Sequence, residues 1–302
     1  MTRVTNFAEY QRSLANITST QSRSAALQLQ VSSGSKSSDY AGLGQDAGRL
    51  VTLESAHARA GQYILDNNAI STRLQNAESN VSQIFDVMSD FKQLLISALN
   101  AENAAELAMP QQAADRLDQV TGLLNAKVDN VFLFGGSVTN RAPVDLAGLP
   151  VAYALPSADG DSIGYYQGDF TVRAVQADDD VRVNYGVTAG DPAFEKAVRA
   201  LDMVIKGGVS DRATLEHALE VTNQALNAIP DLRTKLGNSL KALDLANGKH
   251  GEFQKLAEGT IGDIKNVDVA LAVTKLNDTQ ITLEASYLAL SRLNQASLVN
   301  YL

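Results

Sequence analysis

A single stripe of side chains constrains this chain more than any other feature. Ile70, Leu74, Ala77, Val81, Ile84, Met88, Phe91, Leu95 and Ala98 alternate steps of four and three across four heptads. Tyr63, Ala60, Ala56 and Leu53 carry the frame backwards. Steps of three and four place side chains on one face of an α-helix. A helix from Gln45 to Leu99 would be roughly 80 Å long at 1.5 Å per residue. A stripe this regular needs partner helices along most of its length. Such a chain folds as a long helical bundle.

Both ends of the chain carry helical patterns of a different kind. At the N-terminus, Phe7, Tyr10, Leu14, Ile17, Gln21, Ser24, Gln28 and Val31 step by three and four, with polar residues in the second half. At the C-terminus, Leu276, Leu283 and Leu290 form one row at heptad spacing. Ile281, Leu288 and Leu302 lie on a second row, with Leu276 and Ile281 roughly 140° apart around the axis. Only five residues from Asn266 to Leu302 are charged: Asp268, Lys275, Asp278, Glu284 and Arg292. A terminal helix that is apolar on two sides needs cover from more than one neighbour. The two ends read as partners for each other and for other molecules. Candidate contact residues are Phe7, Tyr10, Leu14 and Ile17 at one end, and Leu276, Ile281, Leu283, Leu288, Leu290, Leu293, Leu298, Tyr301 and Leu302 at the other.

The segments between these patterns follow from their turn and cap residues. Residues 31–44 are rich in Ser and Gly and read as a connector. A break at Ala101–Met109 precedes Pro110, which suits a first helical turn. Ala113, Leu117, Val120, Leu124 and Val131 then predict a third helix ending at Gly135 and Gly136. The stretch from Gly135 to Asp191 holds eight glycines and three prolines and reads as β. Phe170, Val172 and Ala174 alternate on one face before an acidic turn, and Val181, Val183 and Tyr185 alternate after it, predicting a hairpin. Helix resumes with Asp191 as cap and Pro192 at the first position. Asp211 caps another helix through Leu215, Leu219, Thr222, Leu226 and Ile229, which Pro230 should kink or break. Leu232, Leu236, Leu240 and Leu243 continue beyond it. The fold class is mainly α: a long, rod-like helical bundle built from N- and C-terminal segments, with a small β-rich domain inserted in the middle. Three regions follow: an assembly domain (1–40 with 266–302), a helical rod (41–134 with 192–265) and a β-rich surface insert (135–191).

Composition narrows the chemistry. There is no Trp and aromatics are 6%, so cores must come from Leu, Val, Ile and Ala, and a deep ligand pocket is disfavoured. The net charge is −9, with eight Asp against three Arg between Arg141 and Asp191. That surface repels nucleic acid and anionic membranes. Absence of Cys excludes disulfides, thiolate catalysis and Cys-based zinc sites. His57, His217 and His250 show no metal spacing. Asp178, Asp179 and Asp180 lack the Gly and distal Glu of a calcium loop and read as a solvated turn. Gly135 and Gly136 lack the Lys-Ser/Thr of a phosphate loop. No constellation for acid–base or nucleophilic chemistry is present, so no enzyme and no cofactor is predicted. No cleavable signal pattern opens the chain and no apolar run is long enough to span a bilayer. These features fit a cytosolic protein or one exported by a route that reads no cleaved signal.

Three stretches in this order and spacing resemble the bacterial flagellin family. Leu27–Asp39 reads LQLQVSSGSKSSD and is followed by Ala41 and Gly42. Asn130–Pro143 reads NVFLFGGSVTNRAP. Tyr166–Asp169, Val181–Asn184, Gly186 and Asp191–Phe194 follow, and the chain closes on Leu298–Leu302, LVNYL. The second and third stretches and the terminus are most similar to the family's hook–filament junction members.

The resemblance implies a structural part of the bacterial flagellum, an adaptor between hook and filament. It implies terminal helices that pair into an inner coiled coil and pack against copies of the chain in a ring or tube. Implied partners are another hook-associated protein, flagellin, and an export chaperone before secretion through the flagellar type III pathway to the cell exterior. Filament flagellin is the alternative, and an extracellular adhesion module ranks below it.

Overall fold

The computed structural model describes the backbone of residues 2–100, 108–207 and 211–299, and the side chains of residues 8–100, 108–207 and 211–292. The elements are α1 (Thr2–Ser33), α2 (Asp46–Asn100), α3 (Met109–Leu124), β1 (Lys127–Val128), β2 (Val131–Phe132), β3 (Arg173–Asp178), β4 (Val181–Tyr185), α4 (Pro192–Gly207), α5 (Arg212–Lys265) and α6 (Val269–Val299). The chain is mainly helical with two short antiparallel hairpins among the described residues, β1–β2 and β3–β4. It divides into two compact units, one of Met1–Arg59 with Phe253–Leu302 and one of Ala60–Glu252. Helices α2 and α5 contribute residues to both.

The Ala60–Glu252 unit is organised by the stripe. All nine residues from Ile70 to Ala98 named above are buried. They share one apolar cluster with Met109, Ala113, Leu117, Val120 and Leu124 of α3 and with Leu215, Ile229, Leu232, Leu236 and Leu243 of α5. Helix α4 is buried on nearly every side, through Phe194, Val198, Leu201 and Val204 among others. Such a helix forms the centre of a unit. Its caps are as the sequence predicts: Asp191 accepts from the Ala193 N–H at 3.1 Å, with Pro192 in the first turn. Asp211 likewise accepts from the Ala213 N–H at the start of α5.

Four expectations need correction, and one lies partly out of view. Helix α3 stops at Leu124, eleven residues before the glycine pair. The Asn125 side chain bonds both the N–H and the carbonyl of Val144, which pulls the chain away from helical continuation. Val131 falls in the β1–β2 hairpin instead. That hairpin turns on Asp129 and Asn130, both at positive φ (53° and 62°), as a two-residue primed turn requires. Strand β3 begins at Arg173, so Phe170 and Val172 precede it and stand exposed. Val181 also faces outward, while Val183 and Tyr185 are buried. Of the kink or break expected at Pro230, the break does not occur, since α5 runs through it. Pro230 is exposed while Ile229 and Leu232 are buried on either side. Packing holds both flanks of the proline. The break expected at Ala101–Met109 lies mostly outside the described residues.

The insert is tied down by polar contacts. The Asp169 carboxylate accepts from the Ser137 hydroxyl and, at 2.9 Å each, from the Ser137 and Thr171 backbone N–H groups. Gly136 must be glycine here. Its φ is +69°, and a Cβ would lie 2.2 Å from the Asp169 carbonyl oxygen. The Ser137 bonds hold the Asp169 carboxyl down at about 2. A folded pKa below the unfolded one stabilises above the unfolded value and loses that stabilisation as pH falls through the folded value. The Asp169 carboxyl is therefore expected to titrate near pH 2 by NMR. Asp169→Asn should lower Tm at pH 7 while leaving it close to wild type at pH 2. An ordinary carboxylate titration at Asp169 would refute this.

Candidate assembly interface

Helices α1 and α6 pair antiparallel within the Met1–Arg59 and Phe253–Leu302 unit. Their pairing starts from a joint. Helix α1 ends at Gly34, which takes φ +68° and donates its N–H to the Gln30 carbonyl at 2.9 Å. This is a left-handed helix stop that glycine adopts without strain. The chain then bridges to the segment before α6. Lys36 N–H donates to Lys265 O at 2.7 Å, and Val267 N–H donates to Gly34 O at 2.9 Å. The Lys36 ammonium reaches the Asp263 carbonyl at 2.5 Å. Beyond it, Tyr40 OH donates to Glu54 at 2.8 Å, and Lys265 pairs with the same carboxylate at 3.0 Å. The Tyr40 hydroxyl, and then Lys265, hold the Glu54 carboxyl below its usual range. The reciprocal bond raises the Tyr40 hydroxyl. The connector is thus an ordered clasp that sets the register of the two terminal helices.

The inward face of α1 is Tyr10, Ser13, Ile17, Thr20, Ser24, Leu27 and Val31. The sequence frame places Leu14, Gln21 and Gln28 where the structure has Ser13, Thr20 and Leu27. Ile17 is buried and Tyr10 half-buried, whereas Leu14 is 40% exposed. At Gln21 burial cost explains the slip. A glutamine has an amide donor and acceptor to satisfy, whereas a hydroxyl can bond its own helix. Ser13 and Thr20 do so, donating to the carbonyls of Glu9 and Asn16 at 2.9 and 2.8 Å. Hydropathy gives these small hydroxyl residues no weight. The legible signal is their own three–four spacing with Ile17 and Ser24.

Helix α6 answers with Ala272, Leu276, Thr279, Leu283, Ser286 and Leu290. Leu276, Leu283 and Leu290 are half-buried, and Ala272 and Thr279 are buried. Ile281 and Leu288 stand on the other side at 65% and 63% exposure. The two rows of the sequence are therefore separated: one is covered by α1 and the other is not. Phe7, Leu293, Leu298, Tyr301 and Leu302 lie outside the residues whose side chains are described.

The seam is weak by construction. Thr279 and Ser286 donate to their own helix at Lys275 O and Thr282 O, so they add no bond across it. Among the described residues no ion pair joins the helices, and the one side-chain bond, Gln21 to Tyr287 OH at 2.5 Å, is exposed. Thr279→Val replaces a buried hydroxyl by a methyl. It should raise the helix content and thermal stability of the free chain by about 0.5–1 kcal/mol, read by circular dichroism. Unchanged melting would mean that the seam hydroxyls do not limit the pair.

The described residues of this unit hold one histidine. Its histidine, His57, pairs with Glu258 at 3.1 Å. In the other unit His217 bonds Ser157, and His250 bonds the Ala177 carbonyl while stacking on Tyr63. No cluster of three or more potential metal ligands exists among the described residues. Nor is any described helix long and apolar enough to cross a membrane.

Comparisons with known proteins fall on these same helices. The description "Bacterial flagellin N-terminal helical region" matches residues 4–139, and "Bacterial flagellin C-terminal helical region" matches residues 219–302. Flagellar hook-associated protein 3 of Escherichia coli (strain K12) is 23% identical over 309 residues, covering 96% of each chain. Its namesake from Salmonella typhimurium is 25% identical over 310 residues, covering 94% of this chain and 95% of that one. The fold is that of the FlgL crystal structure from Bacillus cereus, at a TM-score of 0.55 and 17% identity, covering 70% of this chain and 98% of that one.

Proposed function

Because the chain belongs to the bacterial flagellin family, we propose that it is the structural adaptor joining hook to filament in the bacterial flagellum. The uncovered row of α6 carries this reading. Helix α1 shields Leu276, Leu283 and Leu290, and Ile281 and Leu288 remain exposed. An apolar row along a helix that its own partner leaves bare is suited to a neighbouring subunit.

In this proposal residues 1–40 with 266–302 form the assembly domain, 41–134 with 192–265 the helical rod, and 135–191 the solvent-facing insert. Copies of the chain associate into a ring or tube. One end of the ring meets another hook-associated protein and the other end meets flagellin. The chain leaves the cell without a cleaved signal, and an export chaperone covers the apolar last helix beforehand. Its role is mechanical and requires no cofactor.

The test is position along the flagellum. Labelled protein imaged on sheared flagella should appear as one short zone where hook meets filament. Label along the whole filament would make it a flagellin and overturn the adaptor reading.

A further inference from the structure

Two arginines of the Ala60–Glu252 unit line one cavity with their hydrogen-bonding capacity unspent. Arg73 comes from α2 and Arg173 from the start of β3. The Arg73 Nε–H is buried without an acceptor. Asp129 Oδ2 is 3.9 Å from its Nη2, beyond hydrogen-bond range. Arg173 lies across from Tyr185 in the ladder, its guanidinium carbon 5.7 Å from the ring centre. That contact to the ring spends no N–H of the guanidinium. Neither guanidinium makes a hydrogen bond among the described residues.

Lys196, Arg199, Lys206, Arg212, Arg233 and Lys265 each hold a carboxylate oxygen within 3.0 Å. Arg73 and Arg173 do not, although the net charge is −9. Two cations facing one cavity repel, and an anion between them removes the repulsion.

The cavity's shape selects the anion. It offers about 30 Å³, room for a compact group. Leu74, Phe132 and Val187 supply apolar walls. A guanidinium edge matches the two coplanar oxygens of a carboxylate, and apolar walls suit the aliphatic stem behind it. We propose that this cavity binds a carboxylate held by Arg73 and Arg173, either a free small acid or the tip of an acidic side chain from another protein.

The test uses the full-length chain with acetate as probe and chloride at matched ionic strength as control. Acetate should shift the Arg73 Nε–H NMR signal saturably, and chloride should not. Arg73→Lys keeps the charge and loses the fork, so acetate affinity should fall about tenfold or more. Arg173→Gln, at a half-buried strand end, should weaken acetate by a similar factor and serves if Arg73→Lys fails to fold. A blocked Gly-Glu-Gly peptide separates the sources. Binding at least tenfold tighter than acetate identifies a protein side chain, and equal or weaker binding identifies a free acid. The proposal is overturned if acetate behaves as chloride does, or if Arg173→Gln binds acetate as the wild type does.

Discussion

Replacing Ile281 and Leu288 together by aspartate should remove the protein from flagella without unfolding it. Both side chains are nearly two-thirds exposed in the chain alone. Exposed substitutions of this kind change stability by no more than about 0.5 kcal/mol each. In an assembled ring the same positions would press two carboxylates into apolar neighbours, at several kcal/mol per subunit contact. Cells carrying the double variant should be non-motile and release flagellin into the medium, while the purified variant keeps wild-type circular dichroism and Tm. Deleting Leu293–Leu302 should act in the same direction. Motile, filament-bearing cells would sink the assembly role of this row. Leu283→Asp makes the contrast. It strikes the row that α1 covers, so it should lower the helix content of the free chain as well.

Periodicity was legible in proportion to the size and greasiness of the side chains that carry it. The stripe from Ile70 to Ala98 needed no structure to find, because each member is apolar and the frame never slips. In α1 the frame held at Tyr10, Ile17, Ser24 and Val31 but failed between them. There Ser13, Thr20 and Leu27 face inward in place of Leu14, Gln21 and Gln28, and two of the three replacements are hydroxyls that hydropathy does not favour. The two rows of α6 were visible as rows, and only three dimensions could say which one α1 covers. The clasp at Gly34 and Lys36 was hidden because its partners, Asp263, Lys265 and Val267, lie more than two hundred residues away. Pro230 misled for the opposite reason. A local rule was applied where tertiary burial on both flanks outweighs it.

The least legible feature is the buried ion cluster of α4, and it should have the largest effect on stability. Glu195 and Arg199 are spaced i, i+4, a spacing equally at home on an exposed helix face. Both are at most 2% exposed, with Arg199 Nε 3.3 Å from Glu195 Oε1. Arg199 also donates to Asp159 at 2.6 Å and to Ser157 at 3.2 Å, fastening the loop before α4 onto the helix. Burial raises the Glu195 carboxyl, and the Arg199 charge opposes that rise. A raised folded pKa stabilises below the unfolded value and loses that contribution as pH rises through the folded one. Arg199→Met removes the opposing charge, so ionising Glu195 becomes costlier. Asp159 is held low by Lys196 and then Arg199, so the variant also loses that stabilisation, equally at pH 5 and pH 8, where Asp159 is ionised throughout. The variant should therefore lose about 3–5 kcal/mol at pH 8 and clearly less at pH 5, read by urea unfolding. Adding Glu195→Gln should recover most of the deficit at pH 8, because the uncompensated buried charge is gone. Equal losses at both pH values, with no recovery in the double variant, would mean that Arg199 acts through packing alone.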